Sequence, residues 1–205
     1  AHCLKYGVTV NNLLGLRMVL VDGEIVDFGG AYLDAPNYDF LPLITGSEGQ
    51  LGVVTEASVR LLAAPESARP VLLGFDSANA AASCVAAIIA SGIVPVAIEF
   101  MDRPAIHVCE HFVPAGYPLD AEAALIVEVE GSEDEIEYLL EKIEDIAQDY
   151  NPTSVRRSQS AEESALIWKG RKAAFGAIGQ ISDYMCMDGV IPLSALPEAL
   201  NGVSL

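Results

Sequence analysis

At 205 residues, 52% hydrophobic and with a mean hydropathy of +0.36, the chain can bury one large core or two small ones, which excludes intrinsic disorder. Eleven Lys and Arg against 29 Asp and Glu leave a formal net charge of −18, a field that repels nucleic acid and anionic lipid. The most apolar stretch, residues 78–98, leans on alanine and is broken by Ser83, Ser91, Gly92 and Pro95, so it reads as a helix followed by a strand and no transmembrane segment is expected.

In chain order, residues 16–21 and 24–28 flank Asp22-Gly23, a pair suited to the positive backbone angles of a hairpin turn, and Gly29-Gly30 end the hairpin. A short apolar helix is expected over 38–44, then a glycine-rich turn over 46–52. Residues 53–62, rich in β-branched side chains, read as a strand that closes at Pro65.

From residue 70 the pattern alternates. Strands are expected at 71–75, 96–101, 124–130 and 154–157. Helices are expected at 79–91, from the Asp102 cap and Pro104 to about residue 112, and from Ser132 to Tyr150. Ser132 and Glu135 form a capping box, and Ile136, Leu139, Leu140, Ile143 and Ile146 share one helix face. The order is β-α-β, a helical crossover, β-α-β, which suits a ferredoxin-like (split βαβ) sheet with helices on one face, an α+β fold. A second capping box, Ser160 with Glu163, opens a long helix carrying Trp168, Lys169, Arg171, Lys172 and Phe175. Between residues 105 and 155, 13 acids face one base, Lys142, and the acidic helix is read as a solvated face.

Cys3, Cys84, Cys109 and Cys186 are scattered, show no C-x-x-C spacing and follow no signal peptide, so reduced thiols in a cytoplasmic protein are expected. The text opens on Ala1 in mid-pattern, and a fragment of a longer chain is expected.

Three motifs could carry chemistry. In Gly46-Ser47-Glu48-Gly49-Gln50-Leu51-Gly52 the glycines let the backbone approach a ligand closely, but the Gly-Lys-Ser/Thr of a phosphate-binding loop is missing. Arg171 offers a planar fork of donors matched to a carboxylate and lies close in sequence to apolar Trp168 and Phe175; Lys169 and Lys172 are read as solvent-facing. His107-Val108-Cys109-Glu110-His111 matches H-x-x-E-H, in which two histidines four apart can bind zinc and the glutamate acts as base of a zinc protease; the competing reading is two half-exposed imidazoles beside an acid, and no metal site is expected.

Lys5-Tyr6-Gly7, residues 14–20, Asp22-Gly23, Gly29-Gly30, Tyr38-Asp39 and the run from Gly46 through Gly52-Val53-Val54-Thr55-Glu56 together resemble the second half of the FAD-binding domain of vanillyl-alcohol-oxidase-like flavoproteins. Ala115-Gly116-Tyr117-Pro118, Gly170-Arg171-Lys172-Ala173-Ala174-Phe175 and Asp183-Tyr184-x-Cys186-Met187-Asp188-Gly189 are similar to the glycolate oxidase D-subunit family within that superfamily.

The resemblance implies residues 1–65 as the C-terminal part of an FAD-binding domain and 66–205 as a cap over the substrate. It implies an oxidoreductase passing hydride from a small 2-hydroxy acid, glycolate or D-lactate, to FAD. Tyr6, Gly7, Glu48, Gly49, Gly52, Val53 and Val54 would lie against the cofactor, and Arg171 would bind the substrate carboxylate. It also implies that the family's other glycine-rich loops precede Ala1 and its histidine-rich segment follows Leu205, so the fragment should be inactive and free of FAD, with its catalytic base unassigned. Other subunits of a glycolate-oxidase-like complex are the expected partners. The rival class is a non-catalytic ferredoxin-like regulatory or subunit-docking module.

Overall fold

The computed structural model of the chain describes residues 2–31 and 38–203. The chain divides into two compact units, Tyr6–Ala64 and a larger one formed by Ala1–Lys5 with Pro65–Leu205.

The sequence begins with two single-turn helices, α1 (Cys3–Tyr6) and α2 (Thr9–Asn12). In the smaller unit, β1 (Leu13–Val19), β2 (Ile25–Gly29) and β3 (Val53–Val59) make an antiparallel sheet in the order β2-β1-β3, and α3 (Leu41–Ile44) packs on it. The hairpin turns at Asp22-Gly23, where the Leu20 amide donates to the Glu24 carbonyl at 2.8 Å. Leu16, Met18, Leu41 and Ile44 form the core. Alternation along β1 turns Arg17 the other way, where it bonds Asp27 at 2.8 Å and Glu56 at 3.0 Å on the strands to either side. The helix expected over 38–44 is the single turn α3, entered through Asp39, whose carboxylate accepts from the Leu41 amide. The strand expected to reach residue 62 stops at Val59, because Val59 pairs with Leu13, the first residue of β1.

The larger unit contains β4 (Ser67–Phe75), α4 (Ala78–Ala90), β5 (Ala97–Asp102), α5 (Arg103–Phe112), β6 (Ala123–Gly131), α6 (Glu133–Gln148), β7 (Ser154–Arg157), α7 (Ala161–Lys172), α8 (Ala174–Gly179), a 3₁₀ turn (Leu193–Ala195) and α9 (Leu196–Val203). The sheet order is β5-β6-β4-β7 with every neighbour antiparallel. Thus β4 and β5 run parallel with β6 between them, and β6 and β7 run parallel with β4 between them. This is the ferredoxin-like, split βαβ arrangement, and the fold is α+β. Each α-helix of the sheet begins on a side-chain cap: Ser77, Asp102 and Ser132 accept amide hydrogens from Ala80, Ala105 and Glu135.

Helices cover both faces of this sheet, not one. Val71, Leu73, Phe75, Leu125 and Val127 face α4 and α6, while Leu72, Met101, Ala124 and Ile126 face the other way, toward α5 and α7. Such continuous apolar runs are what a strand buried on both sides requires. The long helix expected after Ser160 also differs. It ends at Lys172, the chain bends at Ala173, and Phe175 belongs to α8. Nor is the acidic helix merely solvated: Arg69 pairs with Glu133 and Glu137, and Arg157 with Glu137 and Glu144, which fastens α6 to β4 and β7.

Candidate functional site

The second face of the larger sheet changes character along its strands. On β6, Ala124 and Ile126 are followed on the same face by Glu128 and Glu130; on β5, Met101 is preceded by Glu99. Ala97 pairs with Glu128 and Glu99 with Ile126, so Glu99 and Glu128 are diagonal neighbours on adjacent strands. α7 meets both of them. Trp168 and Arg171, three residues apart on one helix side, bond these carboxylates: Trp168 Nε1 donates to Glu128 Oε1 at 2.7 Å, and Arg171 Nη2 lies 3.0 Å from Glu99 Oε2. The first residues of the chain add cations here, with His2 Nε2 3.9 Å from Glu128 Oε2 and Lys5 Nζ 3.0 Å from Glu130 Oε1.

Beside this lattice opens a cleft of about 1100 Å³, lined by Glu99, Trp168, Lys169, Arg171, Lys172 and Phe175 among others. Arg171 is partly buried, whereas Lys169 and Lys172 are exposed at its edge, as the sequence reading had them. Arg171 is not an idle fork, however. Glu99 holds one of its nitrogens, and its Nε is buried without a partner among the described residues.

Two contacts fix the height of α7 above the sheet. The Tyr117 hydroxyl donates to the Ile167 carbonyl, and the same ring lies over Gly170, where a Cβ would stand 2.6 Å from the hydroxyl oxygen. Burial pushes the Tyr117 phenol well above its ordinary value. The loop that carries Tyr117 is tied by Glu110, whose carboxylate accepts from the amides of Ala115, Gly116 and Tyr117 at 3.0, 3.0 and 2.9 Å. That geometry bears on the H-x-x-E-H motif. Glu110 is committed to three backbone donors and is not poised as a base, while His107 and His111 are exposed, lining a separate hollow with Phe112 and Ile181. Among the described residues, no group of three or more His, Cys, Asp or Glu could hold a metal ion.

In the smaller unit, the glycine-rich turn is exposed and wound through positive φ at Gly46 (84°), Glu48 (52°) and Gly49 (79°). A non-glycine residue in that region is uncommon and marks a backbone held for a purpose. Gly52 must lack a side chain, since a Cβ would stand 2.7 Å from the Val19 carbonyl oxygen. Val53 and Val54 follow on β3 with 65% and 45% of their surface exposed. Glu48, Gly49, Gly52, Val53 and Val54 therefore share one exposed edge, at the end of the sheet where Val53 pairs with Val19. Tyr6 and Gly7 belong to the opposite end: the Tyr6 carbonyl accepts from Asn12 just before β1, whose first residue pairs with Val59.

The family profile described as FAD linked oxidases, C-terminal domain, matches residues 64–204. The chain belongs to this family. It is 48% identical over 204 residues to the glycolate oxidase subunit GlcD of Escherichia coli K12, covering 99% of this chain and 41% of that protein. It is 29% identical over 206 residues to a probable mitochondrial D-lactate dehydrogenase of Danio rerio, covering 97% of this chain and 41% of that protein. The chain thus spans about two fifths of the curated relatives it matches. Among solved structures, an alkyldihydroxyacetonephosphate synthase superposes on 88% of this chain and 35% of its own, with a TM-score of 0.65 at 17% identity, a likeness of fold. No helix among the described residues is long and apolar enough to cross a membrane.

The sequence named Arg171 as a candidate but not the two glutamates beside α7. Glu99 and Glu128 stand among apolar residues of two strands, at alternate positions that must face α7 if the flanking Ile98, Phe100, Val127 and Val129 face the other core. That alternation is the signal that could have found them.

Proposed function

We propose that this chain is part of an FAD-dependent oxidoreductase that oxidises a small 2-hydroxy acid, glycolate or D-lactate. In this reading residues 1–65 are the C-terminal part of its FAD-binding domain and residues 66–205 its cap. The observation that carries the proposal is the cleft in which Arg171, Lys169 and Lys172 stand beside the apolar faces of Trp168 and Phe175. A 2-hydroxy acid offers one planar carboxylate and little else to hold, and a guanidinium against an apolar wall is the matched receptor.

The residues of the smaller unit fit a flavin dinucleotide. The exposed turn at Glu48-Gly49 lets main-chain groups approach a ligand, and Val53 and Val54 present bare apolar surface beside it. Gly52 keeps that backbone tight against β1. Tyr6 and Gly7, at the other end of the sheet, would meet a different part of a long cofactor. Bound FAD supplies the hydride acceptor. The contribution of this chain is to bind and orient: Arg171 fixes the carboxylate, and Trp168 and Phe175 exclude water on one side. Supporting the reading, relatives over nearly the whole chain bear the names of a glycolate oxidase subunit and a D-lactate dehydrogenase. By the same analogy the whole protein works in the cytoplasm with other subunits of a glycolate-oxidase-like complex.

The test uses the full-length protein with FAD bound. Arg171→Met removes a charge-assisted contact while keeping bulk, and should cost about 2–4 kcal/mol of transition-state binding, roughly 30- to 1000-fold in kcat/KM, at unchanged flavin content. Lys172→Met, at the exposed edge, should change kcat/KM only slightly. Near-normal kcat/KM for both acids in Arg171→Met defeats the proposal.

A further inference from the structure

The carboxylate of Glu99 lies against Arg171, the residue proposed above to hold the substrate carboxylate. Its Oε2 is 3.0 Å from Arg171 Nη2, and both side chains are partly buried, 19% and 27% exposed, on the wall of the 1100 Å³ cleft. Paired, parallel Arg–carboxylate contacts are the strongest kind, and they use Nε as well as a terminal nitrogen. The Nε donor of Arg171 is meanwhile buried and unsatisfied. Arg171 is therefore held but not saturated.

The backbone position of Glu99 is set by its strand. It sits mid-strand on β5, opposite Ile126, with Glu128 diagonal to it and held by Trp168. A second carboxylate arriving at Arg171 meets Glu99 as a fixed negative neighbour and as a rival for the same donors. Like charges brought together at a partly desolvated site cost binding energy.

We infer that Glu99 is a specificity-determining residue: an internal carboxylate that competes with the substrate for Arg171 and so sets the affinity of the cleft for small monocarboxylates. The inference rests on the reading of Arg171 as the substrate anchor. It also accounts for the small size of the expected substrate. The site keeps a net attraction for one carboxylate, while the Glu99 and Glu128 charges disfavour a second one on the same acid. Competition of this kind acts on ground-state binding, so its removal moves KM more than kcat.

The experiment uses the full-length, FAD-loaded protein and the variants Glu99→Gln, Glu99→Asp and Arg171→Met. KM and kcat are measured for glycolate and D-lactate, together with the inhibition constant of acetate, a carboxylate without the reacting hydroxyl. Glu99→Gln keeps shape and hydrogen bonding but removes the charge. It should lower KM and the acetate inhibition constant together by about 3- to 30-fold, with a smaller change in kcat. Glu99→Asp keeps the charge and should fall between the two. If Glu99→Gln leaves both constants unchanged or raises them while Arg171→Met raises both, Glu99 only positions Arg171 and the inference is overturned. If Arg171→Met moves neither constant, the anchor reading itself fails and this inference falls with it.

Discussion

The ring of Tyr117 rests on Gly170 of α7 so closely that no β-carbon fits between them, and its hydroxyl donates to the carbonyl of Ile167 one helical turn away. Arg171 and Trp168 flank this contact in sequence, so the registration of α7 over the acidic end of the sheet depends on it. Gly170→Ala should shift the helix or strain the ring, costing about 1–3 kcal/mol of stability. Tyr117→Phe, which keeps the ring and loses one hydrogen bond, should cost only about 1 kcal/mol. Denaturant unfolding of the two variants checks the order. A larger loss in Tyr117→Phe would show that the hydroxyl, not the close packing, sets the helix.

Glu110 is the strut beneath that arrangement. Its carboxylate satisfies the amides of Ala115, Gly116 and Tyr117. Glu110→Gln turns one acceptor into a donor facing N–H groups and should destabilise the larger unit by about 1–3 kcal/mol. His107→Ala with His111→Ala, both exposed, should leave stability nearly unchanged. Zinc bound stoichiometrically to the unmodified chain and lost with the histidines would contradict this assignment of roles.

Much of this architecture was legible in the residues because local and long-range preferences agree. The caps at Asp102 and Ser132 and the apolar face of α6 each name one structure only, and the strand order follows from two βαβ units sharing a sheet. What misled was a pattern with two physical solutions. Most acids on α6 do face solvent, but Glu133, Glu137 and Glu144 also pair with Arg69 and Arg157, which are distant in sequence. The helix through Arg171 read as continuous because nothing at Ala173 breaks a helix, yet the chain bends there. Arg171 stood out in the sequence as a candidate by its chemistry alone. That Glu99 partly occupies it depends on strand register, which no local signal carries.

The cysteines differ in chemistry as well as exposure. Burial pushes the Cys84 thiol up to about 12, and the same cause raises Cys109 against the opposing charge of Arg171. At about pH 8 only about one part in 10⁴ of Cys84 is thiolate, so iodoacetamide should spare it. Cys3 and Cys186 are exposed and should react promptly in this chain. Mass spectrometry of the alkylated protein, native and unfolded, should find two labels in the first case and four in the second.

Acid should loosen the smaller unit through Asp27. The Arg17 guanidinium holds the Asp27 carboxyl below its ordinary 3.8. A lowered value means the pair contributes fully above pH 3.8 and loses that contribution as pH falls through the value in the folded state. Both side chains are largely exposed, so the contribution is small and screened by salt. The difference in melting temperature between the parent and Asp27→Asn should be present near neutral pH and shrink as the pH falls below 3.8. A difference that grows on acidification would reverse the sign of the argument.

Gly52 gives the sharpest test of the glycine-rich turn, because space and backbone both forbid a side chain there. Its φ is 149°, and an added Cβ would stand 2.4 Å from Met18 Cε and 2.7 Å from the carbonyl oxygen of Val19. The methionine can swing aside, but the carbonyl belongs to the paired backbone of β1 and cannot yield without breaking the ladder. Gly52→Ala should therefore separate β3 from β1 at the Val53–Val19 end and cost about 2 kcal/mol or more. Leu51→Ala, one residue earlier and already 44% exposed, should cost well under that. Amide exchange in this chain reads the difference directly, with Val53 and Val54 losing protection in Gly52→Ala and keeping it in Leu51→Ala. In the full-length protein, flavin retention should follow the same order, since the edge that Gly52 secures is the one proposed to meet the cofactor. Equal protection and equal flavin content in the two variants would mean that the turn is ordinary loop geometry.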